Sequence, residues 1–527
     1  MIFTSFRFLL FLVAVFLGYF ILPKKVRWVW LLLASVYFYL SASVAYAVFL
    51  LLSVVSAYLF GLCCRRLSRR EEAFLAGEQD KQARKACKKR NDRKRKWAAA
   101  AAIVFNLAVL GFLKYAGFVL DNVSRVVRLF VPTFAPPGLE LFLPLGISFY
   151  TFMAVGYCID VCRGISEGEK NPLKLALFLS FFPHIMQGPI DRYDALAPQL
   201  YEGHSFDFDR VTGGLYRMIW GFFEKLVIAD RLAILVNTVF DNSESYSGLY
   251  LVIAVFCYAV QIYTDFAGYM DIALGASRVM GIYPAENFDT PYFAASVPEF
   301  WRRWHMSLSG WFRDYLFYPI LRSPFCKAIT RRLKDHGRKG LAAALTTCIA
   351  LAVVWFTTGL WHGASWHYIA WGVYYGVLII LSTVTKPLTE GVSRALRLDR
   401  DTSGWKMYSI VKTFILVLLG YVLFRADNTA HAANIIIRIA TKFAPSFNAP
   451  GVDLGLDGKD LLVVGAGILV LFVVDMLKYH KKSISGLFRA LPLVIRWAAL
   501  YAAIFAILIF GIYGPGYNSA DFIYLGF

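Results

Sequence analysis

Long apolar runs broken by short polar stretches organise the chain from its first residues. Runs at 7–22, 28–41, 44–62 and 97–120 recur later at about 341–360, 364–384, 413–424, 460–477 and 494–512. A helix needs ~20 apolar residues to cross ~30 Å of hydrocarbon. The pattern therefore predicts an all-α, polytopic transmembrane protein of about eleven spans plus re-entrant segments. Three stretches break the rhythm: "LPLGISFYTF", "FPHIMQGPIDRY" and "ENFDTPYFAASVPEFWRRWHMSLSGWFRDYLFYPI". Each is too polar or too short to cross cleanly. Irregular backbone survives at membrane depth only where protein buries it or a wet cavity solvates it. These stretches are expected to line the interior, where chemistry would sit. No solenoid repeat or low-complexity tract interrupts residues 1–512, read as one membrane domain.

Charge gives this pattern a direction. The chain carries a formal net charge of +20. In a soluble protein that excess would point to nucleic acid; here the basic residues collect in loops, as they do on the cytoplasmic side of membranes. The densest run, from Arg65 to Lys96, predicts a cytoplasmic arm at 65–96, a charged helix near lipid headgroups. Basic stretches at Arg322–Lys339, Lys386–Lys412 and Lys478–Lys482 are placed on the same side. Alternating the spans then puts both termini outside, a loop at 425–458 outside, and the turn "GLWHGASWH" deep in the membrane or toward the outer face. Residues 7–22 lack an A-x-A site and read as a first span rather than a cleaved signal. The eight cysteines show no paired C-x-x-C spacing, which argues against a zinc site or a disulfide framework.

Two histidines stand out. His305 lies among Trp301, Trp304 and Trp311, with Arg302 and Arg303 alongside; one continuous helix would put the aromatics on one face and the arginines on another. Much of that stretch also fits an interfacial helix, with Trp at headgroup level and Arg reaching phosphates. His362 sits between Trp361 and Gly363, with Gly359, Ala364 and Ser365 close by. Small neighbours let another chain or a ligand approach, and an ionisable residue inside a membrane is a functional candidate by default. The alternative for both is a hydrogen-bonded packing histidine. His367, beside Trp366 and Tyr368, reads as interfacial.

Six blocks in order carry a resemblance: "LPLGISFYTF…YCIDV", "FPHIMQGPIDRY", "GFFEKLVIADRLA", "YTDFAGYMDIALG", "ENFDTPYFAASVPEFWRRWHMSLSGWFRDYLF" and "GLWHGASWHYIAWGVYYG". Together they resemble the membrane-bound O-acyltransferase (MBOAT) family, in the bacterial branch of alginate O-acetyltransferases and teichoic-acid D-alanyl transferases. That resemblance implies a helical fold with a central tunnel in a bacterial cytoplasmic membrane. It makes His362 the catalytic histidine and His305 the second one, while Asp160, Asp191, Asp265 and Asp271 would support the cavity walls. It also implies transfer of an acyl group from a cytoplasmic thioester, acetyl-CoA or a carrier's phosphopantetheine, to a hydroxyl of an exported polysaccharide or peptidoglycan. Acetyl is favoured, with D-alanyl transfer to teichoic acid as the alternative. Imidazole, with a pKa near 6.5, is suited to take the hydroxyl proton at neutral pH. His362 is therefore the expected base. His305 would orient the thioester or stabilise the oxyanion. Trp301, Trp304 and Trp361 would wall the tunnel, and Arg302 and Arg303 would meet donor phosphates. No resident cofactor, metal or nucleic acid is expected.

The chain ends in "GPGYNSADFIYLGF". Its F-x-Y-x-x-F spacing resembles the carboxyl-terminal signature of the small membrane partner in teichoic-acid D-alanylation systems, where the Tyr is implicated in acyl relay. The tail 513–527 is accordingly expected outside, with Tyr524 as acyl relay and Phe522 and Phe527 as anchors. The relay would pass the group to a serine nucleophile on an extracytoplasmic partner. Interfacial anchoring of the aromatics is the plainer alternative. A transporter or flippase without chemistry would also fit the topology, as would a scaffold for a cell-wall complex. Either would tolerate substitution of His362.

Overall fold

The computed structural model describes residues 3–135, 138, 141, 143–396, 399–443 and 452–513. Among these residues helix predominates, and strand pairing is limited to an isolated antiparallel bridge, Phe288 with Trp304. Among the described residues, eight helices are long and apolar enough to cross a membrane. Beside them stand the shorter helices Phe6–Ile21, Arg27–Leu40 and Ile147–Arg163, of 16, 14 and 17 residues. The chain divides into two compact units: Met1–Met218 with Ala273–Ala285, and Ile219–Ile272 with Glu286–Phe527.

In the first unit the basic arm is a helical hairpin. Ala47–Gly77 runs into it and Lys81–Arg128 runs out, capped by Asp80, whose carboxylate accepts from the amides of Gln82 and Ala83. Forty-eight residues at 1.5 Å each make the second helix about 72 Å long, far more than a bilayer core. Its charged half pairs with its neighbour rather than only with solvent: Arg95 reaches Glu71 at 2.8 Å and Ser68 at 3.2 Å. Deeper in the unit, Gly61 and Gly168 let two backbones touch. A Cβ on Gly168 would lie 2.2 Å from the Gly61 carbonyl oxygen.

The segment after Pro172–Ser180 turns back on itself. Asn171 caps that nine-residue helix, whose length of about 14 Å carries the chain only part-way across a bilayer core. Residues 181–192 then fold as tight turns before Tyr193–Tyr201 returns. Phe178, Leu179, Phe181 and Phe182 are fully buried there, and the Phe182 amide donates to Ser35 Oγ at 3.1 Å. Burial in protein is what such a re-entrant backbone requires.

The second unit holds a wide helical turn at its start. Phe223–Ala229 is π-helical within an otherwise α-helical run. That turn carries Lys225, whose ammonium lies 2.6 Å from Asp230 and 2.5 Å from Asp265, all three nearly fully buried. Gly221 and Gly268 admit the two helices to this distance, since a Cβ on Gly221 would fall 2.5 Å from the Gly268 oxygen. A buried charge left alone is costly, so Lys225→Met should destabilise the protein by about 3–5 kcal/mol. Thermal unfolding in nanodiscs would check this, and Lys225→Met with Asp265→Leu should recover part of the loss.

Candidate active site

The stretch around His305, which would read as an amphipathic helix if continuous, is broken at that residue. Ser296 caps Val297–Arg303, which ends at Trp304 in extended backbone; Met306–Phe312 begins afresh. Between them His305 adopts φ 45°, a left-handed conformation that costs a residue with a Cβ and recurs where surrounding structure enforces it. The enforcing element is the preceding loop. Asp289 N–H donates to the Arg303 carbonyl, Met306 N–H to the Asn287 carbonyl, both at 3.0 Å, and Phe288 bridges Trp304. The break turns His305 inward, 1% exposed, its ring edge-on to Phe266 at 4.9 Å.

Asn287 fixes the state of that imidazole. Its Oδ1 accepts from the Ser307 amide at 3.0 Å and lies 3.5 Å from His305 Nδ1. An acceptor there places the proton on Nδ1 and leaves the lone pair on Nε2. That Nε2 is buried and has no hydrogen-bond partner among the described residues. A neutral ring of this tautomer accepts a hydrogen bond at Nε2 and cannot donate one there.

His362 arrives from a different pair of helices. Lys339–His362 ends on it, and Trp366–Ala395 begins three residues later. The pair is drawn together at glycines: a Cβ on Gly359 would meet the Tyr368 oxygen at 2.5 Å, and one on Gly372 the Trp355 oxygen at 2.4 Å. His362 is 3% exposed and packs edge-on against Trp371 at 4.7 Å and Phe424 at 5.2 Å. Trp361 packs against both histidines, its ring centroid 4.8 Å from His362 and 5.9 Å from His305. The structure thus brings together His362, Trp361 and His305, and adds Trp301 through its contact with Trp371 at 5.5 Å.

Other expected residues lie apart from this cluster. Trp304 is wedged in the loop against Phe288 at 5.0 Å. Arg303 is engaged with Glu299 at 2.8 Å, the Asp289 carbonyl and Thr290, while Arg302 is exposed. His367, expected at an interface, is buried, with Nδ1 2.8 Å from Ser365 Oγ. Tyr524, Phe522 and Phe527 lie outside the described residues. Sequence reasoning left Asn287, Trp371 and Phe424 unassigned. The first two stand inside the quoted blocks, but only the folded loop reveals that Asn287 addresses His305.

The probable alginate O-acetylase of Pseudomonas putida is 33% identical over 442 residues, which cover 82% of this chain and 79% of the relative. The chain belongs to the membrane-bound O-acyltransferase family. The family model described as MBOAT, membrane-bound O-acyltransferase family, matches residues 168–333, which include the His305 break. A peptidoglycan O-acetyltransferase of Helicobacter pylori is 29% identical, covering 80% of this chain and 76% of its own. A teichoic acid D-alanyltransferase of Bacillus subtilis is also 29% identical, covering 62% of this chain and 83% of its own. This MBOAT member is therefore a multi-pass membrane O-acyltransferase of the branch that holds these relatives.

Proposed function

We propose that the protein moves an acetyl group from a cytoplasmic thioester to a hydroxyl on the outer side of a bacterial cytoplasmic membrane, for O-acetylation of an exported polysaccharide or peptidoglycan. The observation that carries this reading is the pair of buried histidines that both pack against Trp361. His362 acts as general base: it takes the hydroxyl proton as oxygen attacks the thioester carbonyl, and the thiol leaves with a proton. His305 serves as an acceptor at Nε2. An acceptor cannot stabilise an oxyanion, but it can receive the amide N–H that follows the thioester in a pantetheine arm, and so orient the reacting carbon. Trp361 and Trp301 keep water from the thioester.

The hydroxyl is assigned to Tyr524. The tail follows the helix Leu493–Phe510 and, in this reading, enters the outer mouth of the tunnel, anchored by Phe522 and Phe527. Phenol pKa is about 10, so an aryl ester is a better acyl donor than an alkyl ester. Tyr524 can then pass its acetyl to the serine of an extracytoplasmic partner, and the group crosses without its carrier. Acetyl is favoured over D-alanyl because the relatives named as O-acetylating enzymes cover more of this chain.

The deciding assay offers purified protein in vesicles acetyl-CoA, an acetylated carrier and a D-alanylated carrier. Acetyl transfer should exceed D-alanyl transfer; the reverse preference would reassign the acyl group. In the same assay His305→Ala should raise the donor KM and cut turnover by roughly 10²-fold, the pattern of lost orientation. An unchanged KM would remove His305 from the donor site.

A further inference from the structure

The first unit holds a second buried histidine that the acyl-transfer chemistry does not use. In the re-entrant turns 181–192, His184 Nδ1 lies 3.2 Å from Asp191 Oδ2, and the other Asp191 oxygen accepts from the Ala285 amide at 2.8 Å. His184 and Gln187 are each 1% exposed. A carboxylate accepts only, so Nδ1 carries a proton; in the neutral ring Nε2 then holds the lone pair. Among the described residues that Nε2 has no hydrogen-bond partner, and neither do the oxygen and nitrogen of the Gln187 carboxamide. The Gly188 amide donates to the His184 carbonyl at 2.9 Å, closing a helical turn. Residues three apart on such a turn share a side, so His184 and Gln187 are neighbours. Gly188 makes that turn possible, since a Cβ there would lie 2.0 Å from the His184 Cα.

Buried polar groups are nearly always satisfied, and three unsatisfied atoms within one turn point to a ligand. The atoms define its chemistry. It must donate to Nε2 of His184, donate to the Gln187 oxygen and accept from the Gln187 nitrogen. A hydroxyl does both, and two adjacent hydroxyls meet all three demands. Charge is disfavoured, because both Asp191 oxygens are engaged and the rings of Phe181 and Phe178 stand edge-on at 5.5 and 6.4 Å. We propose that His184 and Gln187 form a second ligand site for an uncharged polyol, one hydroxyl donating to His184 Nε2 and its neighbour pairing with the Gln187 carboxamide. Asp191 is the positioning residue that holds the imidazole in its accepting tautomer. The site is independent of the acyl relay and of the choice between acetyl and D-alanyl.

The test uses the full chain with ¹⁵N-labelled histidine in phosphatidylcholine nanodiscs, a lipid without free hydroxyls. The His184 signal is the one lost in His184→Gln. Titration with 1-monooleoylglycerol, a membrane-borne vicinal diol, should move the His184 Nε2 resonance to saturation, whereas its dimethyl ether should not. Gln187→Leu should weaken the response roughly tenfold, and Asp191→Asn should spread the signal over both tautomers. A resonance that ignores the diol, or moves equally with the ether, would overturn the proposal and leave ordered water as the partner of these atoms. The wild-type titration decides this even where a variant fails to fold.

Discussion

His362→Ala is expected to abolish acyl transfer, a loss of roughly 10³-fold or more, while the protein still inserts and folds. The large effect follows from chemistry: an uncatalysed hydroxyl is a poor nucleophile, and within the cluster described His362 is the imidazole assigned to deprotonate it. The small structural effect follows from position. His362 is the last residue of its helix, and the two helices are held together by Gly359 and Gly372 rather than by the imidazole. His362→Gln keeps a hydrogen-bonding side chain of similar reach and should be equally inactive, since an amide is no base at neutral pH. Measured transfer near the wild-type rate in either variant would remove His362 as the base and require that role to be reassigned. Size-exclusion profiles and unfolding temperatures matching the wild type would show that loss of activity is chemical.

Tyr524→Phe is the second large effect. It keeps the ring and the flanking Phe522 and Phe527, and removes one oxygen. If the tail only anchors at the interface, polymer acylation should continue at the normal rate. If Tyr524 carries the acyl group, acylation of the polymer should fall to background, as with His362→Ala, while thioester binding remains. The two variants differ in a second readout. His362→Ala should block the first transfer whatever hydroxyl is offered. Tyr524→Phe should leave slow hydrolysis of the thioester, since water can enter in place of the missing hydroxyl.

The spans were legible because hydrophobic length has one strong cause. The runs at 341–360 and 460–477 became Lys339–His362 and Gly458–Tyr479 with little change at their ends. Basic residues marked the arm, but not its form: the pairing of Arg95 with Glu71 across a helical hairpin depends on a contact twenty-four positions apart. The break at His305 was hidden for a related reason. Locally, "PEFWRRWHMSLSGWF" reads as good amphipathic helix, and what interrupts it is the loop of Asn287 and Asp289, which competes for the same backbone groups. Small residues around His362 did signal close approach, and Gly359 meeting Gly372 is that approach. By contrast, the arginines chosen for charge fall outside the cluster. One of them, Arg303, satisfies local carboxylate and carbonyl groups, a use that composition does not distinguish from phosphate binding. The unsatisfied atoms of His184 and Gln187 were invisible in sequence, because satisfaction is a property of the folded neighbourhood.

The most direct test of the account is to catch the acyl group on the tail. Protein reconstituted in vesicles would be given radiolabelled acetyl thioester without partner or polymer, quenched in acid and cleaved, and the carboxyl-terminal peptide analysed by mass spectrometry. The relay requires label on Tyr524 in the wild type, none in His362→Ala or Tyr524→Phe, and release of the label when the partner is added. Absence of label from the tail while partner and polymer are acetylated at the normal rate would contradict it.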